Sequence, residues 1–214
     1  AGGLARAIRD AAGGDAFDQL CSAELRHRFL QNQLPVGCAL STSSLNLAGT
    51  DGARMFIIHA VGPRWDPTNH ALASEQLFET VRNAIMRANG LEGVTSISIP
   101  PISTGIFAFP SEKACQIIVD STLATLEDLF QRGELHIEQV RLVALDAPFN
   151  SLQRSKTASF AGSLARRVNN LAPEADLQEL SLQPLLVDFI WEYKGGKAGE
   201  GNLNSATEAA APWV

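Results

Sequence analysis

The sequence predicts an α/β fold in which helices cover both faces of a mixed, mostly parallel sheet. Three observations carry that prediction. Short apolar runs at residues 55–61, 94–99 and 137–145 are the length of strands, not helices. Between them lie longer segments whose apolar residues recur at helical spacing. Alternating βα units of this size favour strands joined by crossover helices.

Gly2-Gly3-Leu4 opens a short helix ending near Ala12, stopped by Gly13-Gly14. Asp15 is then placed to cap a second helix, striped by Phe17, Leu20, Cys21, Leu25 and Phe29. Residues 36–41 read as a strand or its entry. The run 55–61 has no polar alternation beyond His59, which predicts a strand covered on both faces, and Gly62-Pro63 ends it. Leu77, Val81, Ala84, Ile85 and Ala88 mark one face of the next helix, closed by Asn89-Gly90. A strand at 94–99 stops at Pro100-Pro101. Pro110 stands where a helix should begin, and Val119, Leu123, Leu126 and Phe130 stripe that helix as far as Arg132-Gly133. The last clear strand is 137–145.

Beyond Pro148 the character changes. Residues 149–171 have helical spacing, and 176–193 are apolar enough to pack, with the aromatic stretch 189–194 read as the end of a packed helix or the start of a further module. Gly and Ala dominate from residue 195 on, too sparse in large apolar groups for a core. The expected organisation is a main domain at 1–172, a helical or packed extension at 173–194, and a flexible linker or tail at 195–214.

Composition removes several function classes. The chain has 214 residues, 45% hydrophobic and 19% charged, with a formal net charge of −6. No apolar run approaches the roughly 18–20 residues of a membrane span. An acidic chain is a poor non-specific nucleic-acid binder, because such binding rests on clustered Lys and Arg. Three widely spaced cysteines make neither a disulfide framework nor a zinc signature, and His27, His70 and His136 have no metal-ligand spacing. No catalytic residue and no metal ligand is assigned, and no cofactor is expected.

The chemically suggestive stretch is Ser103-Thr104-Gly105-Ile106-Phe107-Ala108-Phe109-Pro110, between a strand and a helix start. Ligands of open α/β sheets bind beyond the carboxyl ends of the strands. A small-residue loop there exposes backbone N–H groups, and the helix start adds partial positive charge. The pattern suits an anion, most naturally a diphosphate, or an ordinary βα connection. It lacks the Lys of a Walker loop. Gly2 and Gly3 form a second glycine-bearing helix entry. Phe149, past the last strand, could stack on a base or belong to the core.

These residues resemble a macrodomain. The likeness rests on Gly2-Gly3-Leu4-Ala5-Arg6-Ala7-Ile8, on Ile57-Ile58-His59-Ala60-Val61-Gly62-Pro63-Arg64-Trp65, and on the segment from Ile99-Pro100-Pro101 through Pro110, in the family's order and spacing. It spans residues 1 to about 170 and is similar to the type found in poly(ADP-ribose) polymerase-like multidomain proteins. The resemblance implies a three-layer α/β/α sandwich and, as partners, ADP-ribose or ADP-ribosylated proteins. It implies that Ser103, Thr104, Gly105, Ile106 and Phe107 wrap the diphosphate and reach the distal ribose. Gly2, Gly3 and Leu4 would form the opposite wall, with Phe149 near the adenine. Family members begin with further strands absent here, so the expectation is a domain lacking its first strands. Members resembling hydrolases carry an Asp where this chain has Ala5, which favours a binding module. A protein ADP-ribosyl glycohydrolase and a ligand-free scaffold are the alternatives. An intracellular setting, nuclear or cytoplasmic, is expected.

Overall fold

A computed structural model of the chain describes residues 3–29, 32–47, 55–144 and the strand 188–193. The elements run α1 (Gly3–Ala12), α2 (Asp15–Phe29), β1 (Ala39–Ser43), β2 (Phe56–Ala60), α3 (His70–Asn89), β3 (Ser96–Ile99), α4 (Ser111–Gln131), β4 (Gln139–Ala144) and β5 (Asp188–Tyr193). Gly13 and Gly14 both take positive φ, the backbone reversal that separates α1 from α2. Asp15 is the first residue of α2 and is not its cap. Its carboxylate instead receives Arg9 Nη2 at 2.6 Å, and Arg9 also reaches Asp18 and Asp10, tying the two helices at their junction.

β1 and β2 pair antiparallel, with Leu40 opposite His59 and Thr42 opposite Ile57. β3, β4 and β5 form a parallel group in that order, with Ile97 opposite Val140 and Val140 opposite Phe189. Strand directions are therefore mixed, as expected. Alternation along β1 defines the layers. Ser41 Oγ accepts a hydrogen bond from Arg87 Nε of α3 at 2.8 Å, whereas the next residue, Thr42, meets His59, which contacts Cys21 and Phe17 of α2. Adjacent strand residues point to opposite faces, so α2 and α3 lie on opposite sides of the β1–β2 pair. This is the three-layer arrangement.

The core forms where α3 and α4 meet the strands. Leu77, Val81 and Ile85 on α3, Ile118, Val119 and Leu129 on α4, and Val140 and Leu142 on β4 are all buried. Each such side chain contributes roughly 1.5–3 kcal/mol relative to exposure. Val140 and Leu142 are two apart and so share the face turned to the helices. The buried hydroxyls of α4 are matched. Thr122 and Thr125 hydroxyls donate to carbonyls one turn back, and Ser121 Oγ donates to the Phe78 carbonyl across the α3–α4 contact. Asn89 is buried and bridges elements: its Nδ2 donates to the Glu134 carbonyl, and its Oδ1 accepts from the His136 and Ile137 N–H groups.

Three local expectations are corrected. β2 is half-buried along its whole length, not fully buried. Among the described residues it has one strand partner, β1, and Phe17 and Cys21 of α2 contact its His59. Gly90 follows α3 at φ −84, so it caps the helix without using the left-handed region that glycine favours. The stretch expected as a helix end at 189–194 is largely the parallel strand β5, in keeping with the strand preference of Phe, Ile, Trp and Tyr. The expected helix over 149–171 lies outside the described residues.

Candidate functional site

The loop of residues 101–110 joins β3 to α4. Its helix side begins with Pro110 at φ −58, preset for helix entry, and Ser111 starts a 21-residue helix. Two loop residues other than glycine adopt the left-handed region, Ser103 at φ +68 and Ala108 at φ +53. Such conformations cost about 1–3 kcal/mol each and persist only where neighbouring contacts impose them. Gly105, by contrast, is outside that region.

Backbone hydrogen bonding gives the loop a polarity. The carbonyl of Pro101 accepts from Thr104, both from its N–H at 3.4 Å and from its Oγ1 at 2.8 Å. The carbonyl of Ser103 accepts from Phe109 N–H at 3.0 Å, and that of Gly105 from Ala108 N–H at 2.9 Å. The carbonyl of Phe107 accepts from Trp65 N–H at 2.8 Å, outside the loop. Alternate carbonyls are thus engaged. The successive N–H groups of Gly105, Ile106 and Phe107 donate to no acceptor among the described residues. Gly105 and Ile106 are exposed, and a Cβ placed on Gly105 would meet no atom within 4 Å. Three open donors in sequence make a neutral site that can accept an oxyanion.

The segment after β2 supports this loop. A Cβ on Gly62 would lie 2.2 Å from Ser103 Oγ and 2.7 Å from Ile102 Cγ2, so only glycine allows the two segments to approach this closely. The Trp65 ring meets buried Phe109 edge-on at 4.8 Å between centroids and stacks on His70 at 6.4 Å. Lys113 Nζ lies 4.9 Å from the indole centroid, on the first turn of α4. Ser103 Oγ is itself buried and has no hydrogen-bond partner among the described residues.

The predicted site residues divide as follows. Ser103, Thr104, Gly105, Ile106 and Phe107 fall together on the loop. Gly3, at φ +68, and exposed Leu4 form the start of α1, and a Cβ on Gly3 would also meet open space. Gly2 and Phe149 lie outside the described residues. Sequence reasoning missed Trp65 as part of the loop's support. Its signal was present in the Gly62-Pro63-Arg64-Trp65 motif, but nothing in local spacing couples residue 65 to residue 107. His59 is a half-buried histidine beside Thr42 Oγ1 at 2.9 Å and Cys21 Sγ at 3.6 Å. Burial pushes its pKa down and pushes that of the Cys21 thiol up, so both stay neutral near pH 7. No group of three or more His, Cys, Asp or Glu able to hold a metal occurs among the described residues.

The fold is thus an α/β/α sandwich in which a loop with open backbone donors joins a parallel strand to a helix. The family model of the Macro domain matches residues 1–118, and the chain belongs to that family. A macro domain-containing protein of Listeria monocytogenes is 34% identical over 145 residues, covering 68% of this chain and 74% of the relative. An uncharacterized Thermotoga maritima protein is also 34% identical over 145 residues, covering 68% of this chain, and a macro domain-containing protein of Acinetobacter is 37% identical over 95 residues, covering 44%. The matched regions span only 22% and 50% of those two relatives' own lengths. Among solved structures, a variant of the Oceanobacillus iheyensis macrodomain with ADPR aligns at TM-score 0.61 and 30% identity, over 76% of this chain and 80% of that one. A Trypanosoma brucei macrodomain in complex with ADP-ribose shares the fold at 22% identity and TM-score 0.53.

Proposed function

We propose that this chain is an ADP-ribose-binding module that recognises free ADP-ribose or ADP-ribosylated proteins. One observation carries the reading: the alternate carbonyls of the 101–110 loop are engaged, three within the loop and that of Phe107 by Trp65, while the Gly105, Ile106 and Phe107 N–H groups stay open. That polarity matches a diphosphate, and the Oceanobacillus relative with ADPR supports the choice of ligand. In this reading Ser103, Thr104, Gly105, Ile106 and Phe107 cradle the diphosphate and distal ribose. Gly2, Gly3 and Leu4 face them, and Phe149 lies near the adenine.

The test is calorimetric titration of the chain with ADP-ribose. Gly105→Glu places a carboxylate where the anion would sit, and it should abolish binding through like-charge repulsion and a blocked approach while leaving the exposed loop folded. Equal affinity of the variant and the unchanged chain would remove the loop from the site.

A second reading, an enzyme acting on an ADP-ribosyl ester or linkage, is favoured by one finding. A Pantoea vagans protein named O-acetyl-ADP-ribose deacetylase 1 is 32% identical over 146 residues. Against it, residues 101–110 hold no titratable side chain, and the first turn of α1 carries no acidic residue. General acid–base work needs such a group. Release of ADP-ribose from a modified protein, or of acetate from O-acetyl-ADP-ribose, would favour the enzyme. The poly(ADP-ribose) polymerase-like type is not supported by these likenesses: mouse PARP9 is matched over 12% of its own length, and the sequence relatives named above are bacterial.

A further inference from the structure

We propose that Trp65 is a positioning residue for the ligand loop, holding the Phe107–Ala108 peptide in the one orientation that leaves the loop's donors open. The proposal rests on the ADP-ribose reading and adds a conformational element to it. Ala108 sits at φ +53, where an alanine is strained, and it is exposed, so packing of its own methyl does not hold it there. Two bonds on the Phe107–Ala108 peptide do: Ala108 N–H to the Gly105 carbonyl at 2.9 Å within the loop, and Trp65 N–H to the Phe107 carbonyl at 2.8 Å from outside it. The carbonyl and Ala108 N–H belong to the same peptide plane. Rotating that plane would relax Ala108 toward negative φ, break the bond from Ala108 N–H to the Gly105 carbonyl, and turn the Phe107 oxygen out of its present contact. A free carbonyl oxygen beside three open N–H groups would repel the anion those groups attract.

Trp65 can hold the peptide because its own position is fixed from three sides. Phe109 meets the ring edge-on, His70 stacks on it, and the Lys113 ammonium lies over it. Phe109 is buried in the core and Lys113 is on α4, so the indole ties the loop to the rigid part of the domain. Gly62 adds a second restraint, because residues 62 and 103 touch at a distance that admits no Cβ. The loop is thereby organised before any ligand arrives.

The experiment compares ADP-ribose affinity, by calorimetry, in four chains: unchanged, Trp65→Ala, Trp65→Ala with Ala108→Gly, and Ala108→Val. Trp65→Ala should weaken binding about tenfold, the scale set by the strain of one left-handed alanine. Adding Ala108→Gly, which makes positive φ cost-free, should restore most of that loss, a recovery that a purely structural role for the indole would not produce. Ala108→Val changes an exposed position and leaves Trp65 in place, yet it disfavours positive φ further and should also weaken binding. Trp65→Ala binding as tightly as the unchanged chain overturns the proposal. So does a weakened Trp65→Ala that Ala108→Gly fails to improve, or undiminished binding by Ala108→Val should Trp65→Ala not fold. Absence of binding by the unchanged chain would instead reject ADP-ribose as the ligand.

Discussion

At the residue scale, the most constrained position near the loop is Gly62, a residue with no side chain to take part in chemistry. A methyl group there would overlap Ser103 Oγ and Ile102 Cγ2, so Gly62→Ala must push the loop away from β2. Overpacking of this kind costs about 1–3 kcal/mol. Chemical denaturation should show that loss, and ADP-ribose titration of the still-folded variant should show weaker binding. Retained stability and affinity would mean that the loop can shift freely and is not preorganised. The glycines read from the sequence as ligand-facing, Gly3 and Gly105, behave differently: a Cβ at either meets nothing. Their smallness leaves room, whereas Gly62 allows contact. A sequence displays all three as the same letter, and only the approach of distant segments separates them.

At the element scale, α2 rests on the β1–β2 pair through Phe17, Cys21 and His59. His59 is kept below its ordinary pKa by burial, so the folded chain binds its proton less readily than the unfolded chain does. Stability from this site is therefore complete above the unfolded value of about 6.5 and falls as the pH drops through and below it. Thermal unfolding followed from pH 7.5 down to 5 should show a decline that is shallower in His59→Gln. An identical decline in both chains would place the acid sensitivity elsewhere. The helices themselves were legible from their stripes: Leu77, Val81, Ile85 and Ala88 on α3 are buried as their spacing predicts. Strand surroundings were harder to read. The apolar run at 55–61 reads as fully covered, but its burial depends on which strands flank it, and that is a property of pairing across long separations. The aromatic stretch near residue 190 misled for a related reason. Short apolar runs suit either a buried helix turn or a strand, and the parallel partner β4 decides between them.

At the scale of the whole molecule, charge and site are opposed. The chain carries a formal charge of −6, and its proposed ligand is itself anionic. The loop offers neutral backbone dipoles with no cationic side chain among residues 101–110. Binding sites built from Lys and Arg lose affinity as salt rises, because their attraction is screened. Here the long-range term is repulsive, and screening removes it. Raising ionic strength from about 0.01 M to 0.15 M shortens the Debye length from about 30 Å to about 8 Å. Affinity for ADP-ribose measured across that range should stay level or rise. A steep fall would show that cations outside the loop supply the binding energy. The loop's sequence disclosed its small size and its place after a strand. Its polarity came from which carbonyls are engaged, one of them by a residue 42 positions earlier in the chain (Trp65 to Phe107).

The engagement of alternate carbonyls has a consequence for how such a loop can change over time. Recognition by main-chain donors is blind to most side-chain identity, so exposed Ile106 could drift among many residue types without touching the groups that bind. What drift cannot alter is the conformation. Selection would then fall on residues remote from the ligand, Gly62 and Trp65 among them, and diverged relatives could keep a common ligand while sharing few of the side chains that surround it.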